Sequence, residues 1–261
     1  MQARLTRILA IFIFSLTTLV SYSQQWEKVG KDGEWGTTID VIAMNGFLYS
    51  IEVDGTLYKT DKTGQHQQVG EKGIFDNVHF LVGLNNEIWT IEDGTLYRSN
   101  ATSGNWQAIG AHGEYKNTIA VAALNGKLYS VEDHGTLYET NTDGSWKQIG
   151  GDGEFKHLDL LVAMGGFLWT VENGTLYKNS PNTMKWQQVG EVGDWKSTVS
   201  MTGSDGFLWS VEKDGTLFKT DINGKYNQVG PKGDMNAVDF IVSMDGFFYV
   251  VENGTLFRTK G

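Results

Sequence analysis

Apolar and polar positions alternate along this chain in short blocks closed by glycine-containing turns. In the first such stretch, Thr38 to Met44 is nearly continuously apolar, Asn45-Gly46 is a turn pair, and Phe47 to Glu52 is β-branched and aromatic. Asp54-Gly55 turns again, and Thr56 to Thr60 leads through a polar turn to His66-Gln67-Gln68-Val69. Blocks of this length, separated by turn pairs, predict four short strands joined as hairpins. Helix is disfavoured, because 33 glycines recur every 8 to 12 residues and no stretch beyond the N-terminus sustains a 3.6-residue apolar stripe.

The pattern repeats. A pentad of the form aromatic-x-x-[VI]-G begins at Trp26, Trp106, Trp146, Trp186 and Tyr226, with His66 heading the second copy, at an unbroken spacing of 40 residues. Six Gly-Thr-Leu-[Tyr/Phe] tetrads, at Gly55, Gly94, Gly135, Gly174, Gly215 and Gly254, fall between the pentads. A four-stranded unit cannot bury its apolar faces alone, so six of them predict an all-β, six-bladed β-propeller. No pentad follows the sixth tetrad, whereas Trp26 to Val29 stands ahead of the first unit. The N-terminal strand is therefore expected to complete the last blade and close the ring, removing an open edge. The gaps between tetrads alternate 39, 41, 39, 41, 39, which makes the ring a trimer of two-blade units.

Residues 1–23 read differently. Arg4 and Arg7, the apolar run from Ile8 towards Val20, and Ser21-Tyr22-Ser23 have the layout of a secretory leader, with an uncleaved anchor as the alternative. Cleavage after Ser23 leaves residues 24–261 as one domain, secreted or extracytoplasmic. The chain has no cysteine, so its stability must come from sheet packing and ring closure. Setting Arg4 and Arg7 aside from the 21 Lys and Arg leaves 19 against 31 Asp and Glu, a net charge of −12. That balance disfavours nucleic acid and anionic membrane surfaces as partners.

Strand order places the loop approaching each first strand and the turn between the second and third strands at one end of the ring. These are also the best-repeated segments, and function that is repeated belongs there. The candidate ligand-binding residues are Asp32, Gly33 and Trp35 in the first loop, then Gly73 and Phe75, Gly113 and Tyr115, Gly153 and Phe155, Gly193 and Trp195, and Gly233. Glycine lets a ligand approach the backbone, and an aromatic face can cover the apolar face of a pyranose. Glu52, Glu92, Glu132, Glu172, Glu212 and Glu252, just before the turns, are secondary candidates that either face a ligand or support the turn. The pentad tryptophans and the second-strand series Tyr49, Trp89, Tyr129, Trp169, Trp209 and Tyr249 read as packing between blades.

The pattern W-x-x-[VI]-G-x-x-G-x-aromatic, followed by an apolar inner strand and G-x-L-[YW], covers residues 26–257 and resembles the tachylectin-type lectin propellers, more loosely the tectonin repeats. The resemblance implies a secreted lectin with repeated N-acetylhexosamine sites on one face. Six units, and the glutamate ending each second strand, set this chain apart from the five-bladed tachylectin type. Binding glycans at several sites of one rigid monomer raises avidity roughly 10²- to 10⁴-fold without any new contact.

Catalysis meets obstacles. A carboxylate-binding arginine cluster is not available, since only Arg98 and Arg258 lie beyond the leader. The five histidines fall at five different repeat phases without a metal-ligand spacing, and there is no Gly-x-Ser-x-Gly motif. No enzyme, metal or cofactor is expected. The remaining alternative is a protein-binding or adhesive propeller of an extracellular or envelope complex.

Overall fold

The computed structural model describes residues 25–75, 77–101, 103–180 and 185–261. The expected leader, 1–23, lies outside the described residues. Twenty-four strands form six four-stranded antiparallel sheets. Blade 1 consists of β2 (Thr38–Met44), β3 (Phe47–Glu52), β4 (Leu57–Thr60) and β5 (His66–Val69). Blades 2 to 5 repeat this order, and their innermost strands are β6 (Val78–Leu84), β10 (Thr118–Leu124), β14 (Leu158–Met164) and β18 (Thr198–Ser204). Blade 6 is built from β22 (Val238–Met244), β23 (Phe247–Glu252) and β24 (Thr255–Lys260), and its outer strand is β1 (Glu27–Val29). β1 pairs with β24 in the register Glu27↔Arg258 to Val29↔Leu256, which is the expected clasp. Contacts between inner strands run from β2 round to β22 and back to β2, so the ring is closed.

Local chemistry sets the hairpins. Each first turn has two residues in the left-handed region, as in Asn45-Gly46 with φ of 53° and 73°. This is the turn geometry that matches the right-handed strand twist, and asparagine, aspartate or glycine fills it in every blade. In each inner hairpin the register skips one residue, between Thr38 and Asp40 in blade 1 and at the matching place in the others. The bulged residue is exposed in every blade.

The core lies between blades rather than within them. Second-strand aromatics Tyr49, Trp89, Tyr129, Trp169, Trp209 and Tyr249 are at most 4% exposed. One cluster joins Trp89, Ile91 and Leu96 of blade 2 to Tyr115 and Leu128 of blade 3, and equivalent clusters occupy the other junctions. Burying each such ring contributes about 2–3 kcal/mol.

Candidate functional site

The approach loops and the second-to-third-strand turns do meet at one end of the ring. Within blade 1, Val53 N–H donates to Thr37 C=O at 2.7 Å. Between blades, each tetrad glycine carbonyl accepts the N–H of the residue that begins the next blade's wall. Trp35 bonds Gly254 at 2.8 Å, Tyr115 bonds Gly94 at 2.7 Å, Phe155 bonds Gly135 at 2.8 Å, and Trp195 bonds Gly174 at 2.8 Å. Phe75 and Met235 make the longer bonds, to Gly55 at 3.4 Å and to Gly215 at 3.2 Å. The tetrad threonine adds a second stitch by accepting the loop glycine's N–H, from Gly33 to Thr255 at 3.2 Å, Gly73 to Thr56 at 3.1 Å and Gly113 to Thr95 at 3.4 Å. Gly193 and Gly233 do the same to Thr175 and Thr216, both at 3.2 Å.

These bonds define what the predicted residues do. The N–H groups of Gly33, Gly73, Gly113, Gly193 and Gly233 are engaged by the preceding blade rather than turned to a ligand. Gly153 has φ of 72° in the same loop position. Trp35, Phe75, Tyr115, Phe155 and Trp195 are 2–6% exposed, so the loop aromatics are mostly inter-blade core. Asp32 is exposed and pairs with Lys28 at 3.1 Å. The tetrad glycine is required twice over. At Gly215 φ is 80°, and a Cβ would lie 1.1 Å from the Met235 carbonyl oxygen.

Three concavities open at equivalent places on the odd blades, with volumes of about 240 Å³ in blade 1, 150 Å³ in blade 3 and 540 Å³ in blade 5. Each is floored by the second and third strands and walled by three rings. In blade 1 these are Trp35, Tyr58 and His66, in blade 3 Tyr115, Tyr138 and Trp146, and in blade 5 Trp195, Phe218 and Tyr226. The third- and fourth-strand rings meet edge to face with centroids 5.5, 5.3 and 5.8 Å apart. Glu52, Glu132 and Glu212 stand at the same corner of each concavity, and Ser50, Ser130 and Ser210 lie on its floor.

Even blades differ for a reason of volume. Their loop residue is the smaller Phe75, Phe155 or Met235, and the fourth-strand tryptophan moves in beside it. Trp106 packs 4.6 Å from Phe75 and Trp186 packs 5.0 Å from Phe155, both edge to face. Trp26 packs against the cluster that holds Met235. Odd blades carry Trp35, Tyr115 or Trp195 in the loop, and their fourth-strand residue stands out instead, with Trp146 47% and Tyr226 45% exposed. The expectation that Trp146 is a packing anchor is thereby corrected. Its indole N–H donates to Glu114 Oε1 at the pocket rim.

The glutamates support the approach loop more than the turn. Glu52 accepts Thr37 Oγ1 at 2.6 Å and Thr38 Oγ1 at 2.8 Å, Glu212 accepts Thr198 Oγ1 at 2.8 Å, and Glu252 accepts the N–H of Asn236. Turn support falls to Asp54, whose Oδ1 accepts Thr56 N–H at 3.0 Å. Burial raises the carboxyls of Glu132, Glu172 and Glu212 above the ordinary range. Ser210 Oγ, Trp195 Nε1 and Thr60 Oγ1 are buried at these pockets without a hydrogen-bond partner. Of the sequence candidates, the structure gathers Trp35, Tyr115, Trp195, Glu52, Glu132 and Glu212 around concavities. It adds Tyr58, Tyr138, Phe218, His66, Trp146 and Tyr226; in blades 1 and 5 the signal was a loop tryptophan paired with a fourth-strand residue smaller than tryptophan, and blade 3, with Tyr115 and Trp146, carries no such signal.

Among the described residues no group of three or more His, Asp or Glu is placed to hold a metal ion, and no helix is long and apolar enough to cross a membrane. The central channel, of about 510 Å³, is lined by the inner strands.

No family model and no curated protein matches the chain. Solved propellers are similar in fold. PorZ, a bacterial surface component of the type-IX secretion system of Porphyromonas gingivalis, superposes with a TM-score of 0.60 at 12% identity over 89% of this chain and 37% of its own length. The chain thus spans little more than a third of PorZ. Regucalcin, a calcium-binding protein from Agrobacterium tumefaciens, gives 0.64 at 10% identity over 85% and 89% of the two chains. YCF48 bound to D1 peptide gives 0.55 at 14% identity over 93% and 97%. Identities this low establish the fold, a six-bladed β-propeller, and nothing finer.

Proposed function

We propose that the protein is an extracytoplasmic, monomeric, multivalent carbohydrate-binding protein whose working sites are the three odd-blade pockets. One observation carries the reading: the same combination of ring walls, a half-buried carboxylate and buried hydroxyls recurs three times on one rigid face. Rings cover the apolar face of a pyranose, while carboxylate and hydroxyl oxygens bond its hydroxyls. The leader-like residues 1–23 support an extracytoplasmic location, as does the likeness to a bacterial surface component. Resemblance to the tachylectin type points to N-acetylhexosamine-type glycans. Binding without catalysis is part of this reading.

A glycan array followed by calorimetry tests this. Three equivalents of sugar per chain are expected, and replacing His66, Trp146 and Tyr226 together by Ala should weaken binding about tenfold or more per site while the fold persists. A single equivalent, or unchanged affinity, would move the function elsewhere.

A second reading rests on different residues. Ile39, Ile119, Val192 and Val199 are 38–76% exposed on the same end of the ring, an apolar set suited to a polypeptide partner. YCF48 is seen with a peptide bound, which lends this reading support. Replacing Ile39 and Val192, which line none of the three pockets, by Ser would weaken a protein partner and leave sugar binding intact.

A further inference from the structure

We propose that the odd-blade pockets select sugars bearing a free amino group, as in deacetylated hexosamine, over N-acetylated and acidic sugars; this rests on the carbohydrate reading above. Each pocket holds a half-buried glutamate that no ion pair among the described residues reaches: the pairs made by lysine and arginine go to Asp32, Asp54, Glu87, Glu139, Asp214 and Glu27. Around that glutamate stand three aromatic walls. An ammonium group is stabilised by ring faces and by a carboxylate together, and gains most where water is partly excluded. An acetamide carries no charge to answer the glutamate, and a sugar carboxylate or sulfate would be repelled by it. In blade 3 a second acidic group, Glu114, reinforces the sign, whereas in blade 1 the corresponding Glu34 lies 3.5 Å from the His66 imidazole.

Hydroxyl recognition is supplied separately. Thr60 in blade 1 is 1% exposed and Ser210 in blade 5 is 0% exposed; both residues line their pockets, and the buried oxygen of each has no hydrogen-bond partner. These groups fit a ring bearing hydroxyls beside its amine, which favours an amino sugar over a lysine side chain. The blade 5 pocket also has Lys213 and Lys232 on its rim, the latter 3.6 Å from Asp214. The blade 1 pocket has the His66 imidazole in its wall, and blade 3, whose lining holds no lysine, arginine or histidine, should therefore show the preference most strongly.

The experiment is calorimetry at pH 6 and 150 mM salt with glucosamine and N-acetylglucosamine oligomers of equal length, an acidic oligosaccharide, and an oligolysine peptide. Free-amine oligomers should bind about tenfold more tightly than acetylated ones, and the acidic oligosaccharide should not bind. Glu52→Gln, Glu132→Gln and Glu212→Gln together should bring the two hexosamine affinities level. Gln keeps the size and one acceptor oxygen, and should the triple variant fail to fold, Glu132→Gln alone should lower the number of amine-selective sites by one. Tighter binding of the acetylated oligomer with three sites would overturn the inference while sustaining the carbohydrate reading. Binding of neither oligomer would overturn both. Oligolysine binding as tightly as the amino sugar, or an amine preference that survives the Gln changes, would overturn the amino-sugar assignment.

Discussion

At the residue scale, single substitutions within an otherwise repeated frame show which constraints are structural. Asp40 sits in the channel where other blades have Phe80, Ala120, Leu160, Ser200 and Phe240. Its carboxylate accepts the N–H of Val41 at 2.8 Å and of Leu81 in the next blade at 2.6 Å. Burial nevertheless outweighs these bonds and pushes its pKa up to about 6 from 3.8. The folded chain keeps this proton to a higher pH than the unfolded chain, so the stability it gives is complete below 3.8 and lost as pH rises through about 6. An Asp40→Asn chain should gain on the parent by roughly 1–3 kcal/mol between pH 4 and pH 7. Urea midpoints across that range check this, and a pH-independent difference would contradict it. Gly215 is the opposite kind of residue, one that tolerates nothing else. Gly215→Ala combines a left-handed backbone with a backbone collision and should cost at least about 3 kcal/mol, read as a lowered melting temperature, whereas Gly206→Ala, with open space around it, should cost about 1 kcal/mol.

At the scale of elements, blade 6 depends on a strand from the far end of the chain. Val29 is 4% exposed and packs with Trp35, Tyr249 and Leu256, while Arg258 pairs with Glu27 at 2.8 Å across the seam. Val29→Asp should unseat β1, lower stability by about 2–4 kcal/mol and bare the β24 edge to self-association. Denaturant unfolding with light scattering reads both, and an unchanged monomer would argue against the clasp. Blade 3 shows how an element can exchange one stabilising contact for another. Where Lys59 lies 3.7 Å from the Phe47 ring centre in blade 1, blade 3 has Lys127 and Glu139 with the two types of position inverted, and an ion pair replaces the cation–π contact. Elements were the most legible level of the sequence. Turn pairs such as Asn45-Gly46 and Asp54-Gly55 depend on backbone conformations that few residues adopt, so strand number could be placed from their repeated positions, and the clasp from the pentad at Trp26 that precedes the first unit.

For the whole molecule, the two-blade period becomes a division between blades with an open concavity and blades where the fourth-strand ring packs inward. The tetrad spacing already divides odd from even units, but it does not say which face of a blade opens. That is settled by whether a large loop ring leaves space for the fourth-strand ring, a contact between segments some 30 residues apart. Trp35→Phe with His66→Trp should convert blade 1 to the even arrangement. Calorimetry should then count two sugar sites instead of three, with thermal stability kept within about 1 kcal/mol. Three remaining sites would show that the blade 1 pocket takes no part in binding.

What the sequence determined by itself is the six-fold count, the four-strand unit, the ring closed by β1 and the gathering of glycine-rich loops on one end. Each follows from local turn chemistry repeated at a fixed spacing. Tertiary structure alone decided that the loop glycines spend their N–H groups on the neighbouring blade, that Trp146 faces outward while Trp106 is packed, and that Glu52, Glu132 and Glu212 stand beside rings without a cationic partner. Those outcomes depend on how side-chain volumes and hydrogen-bonding groups from different blades share one space, and a linear pattern carries no record of that competition.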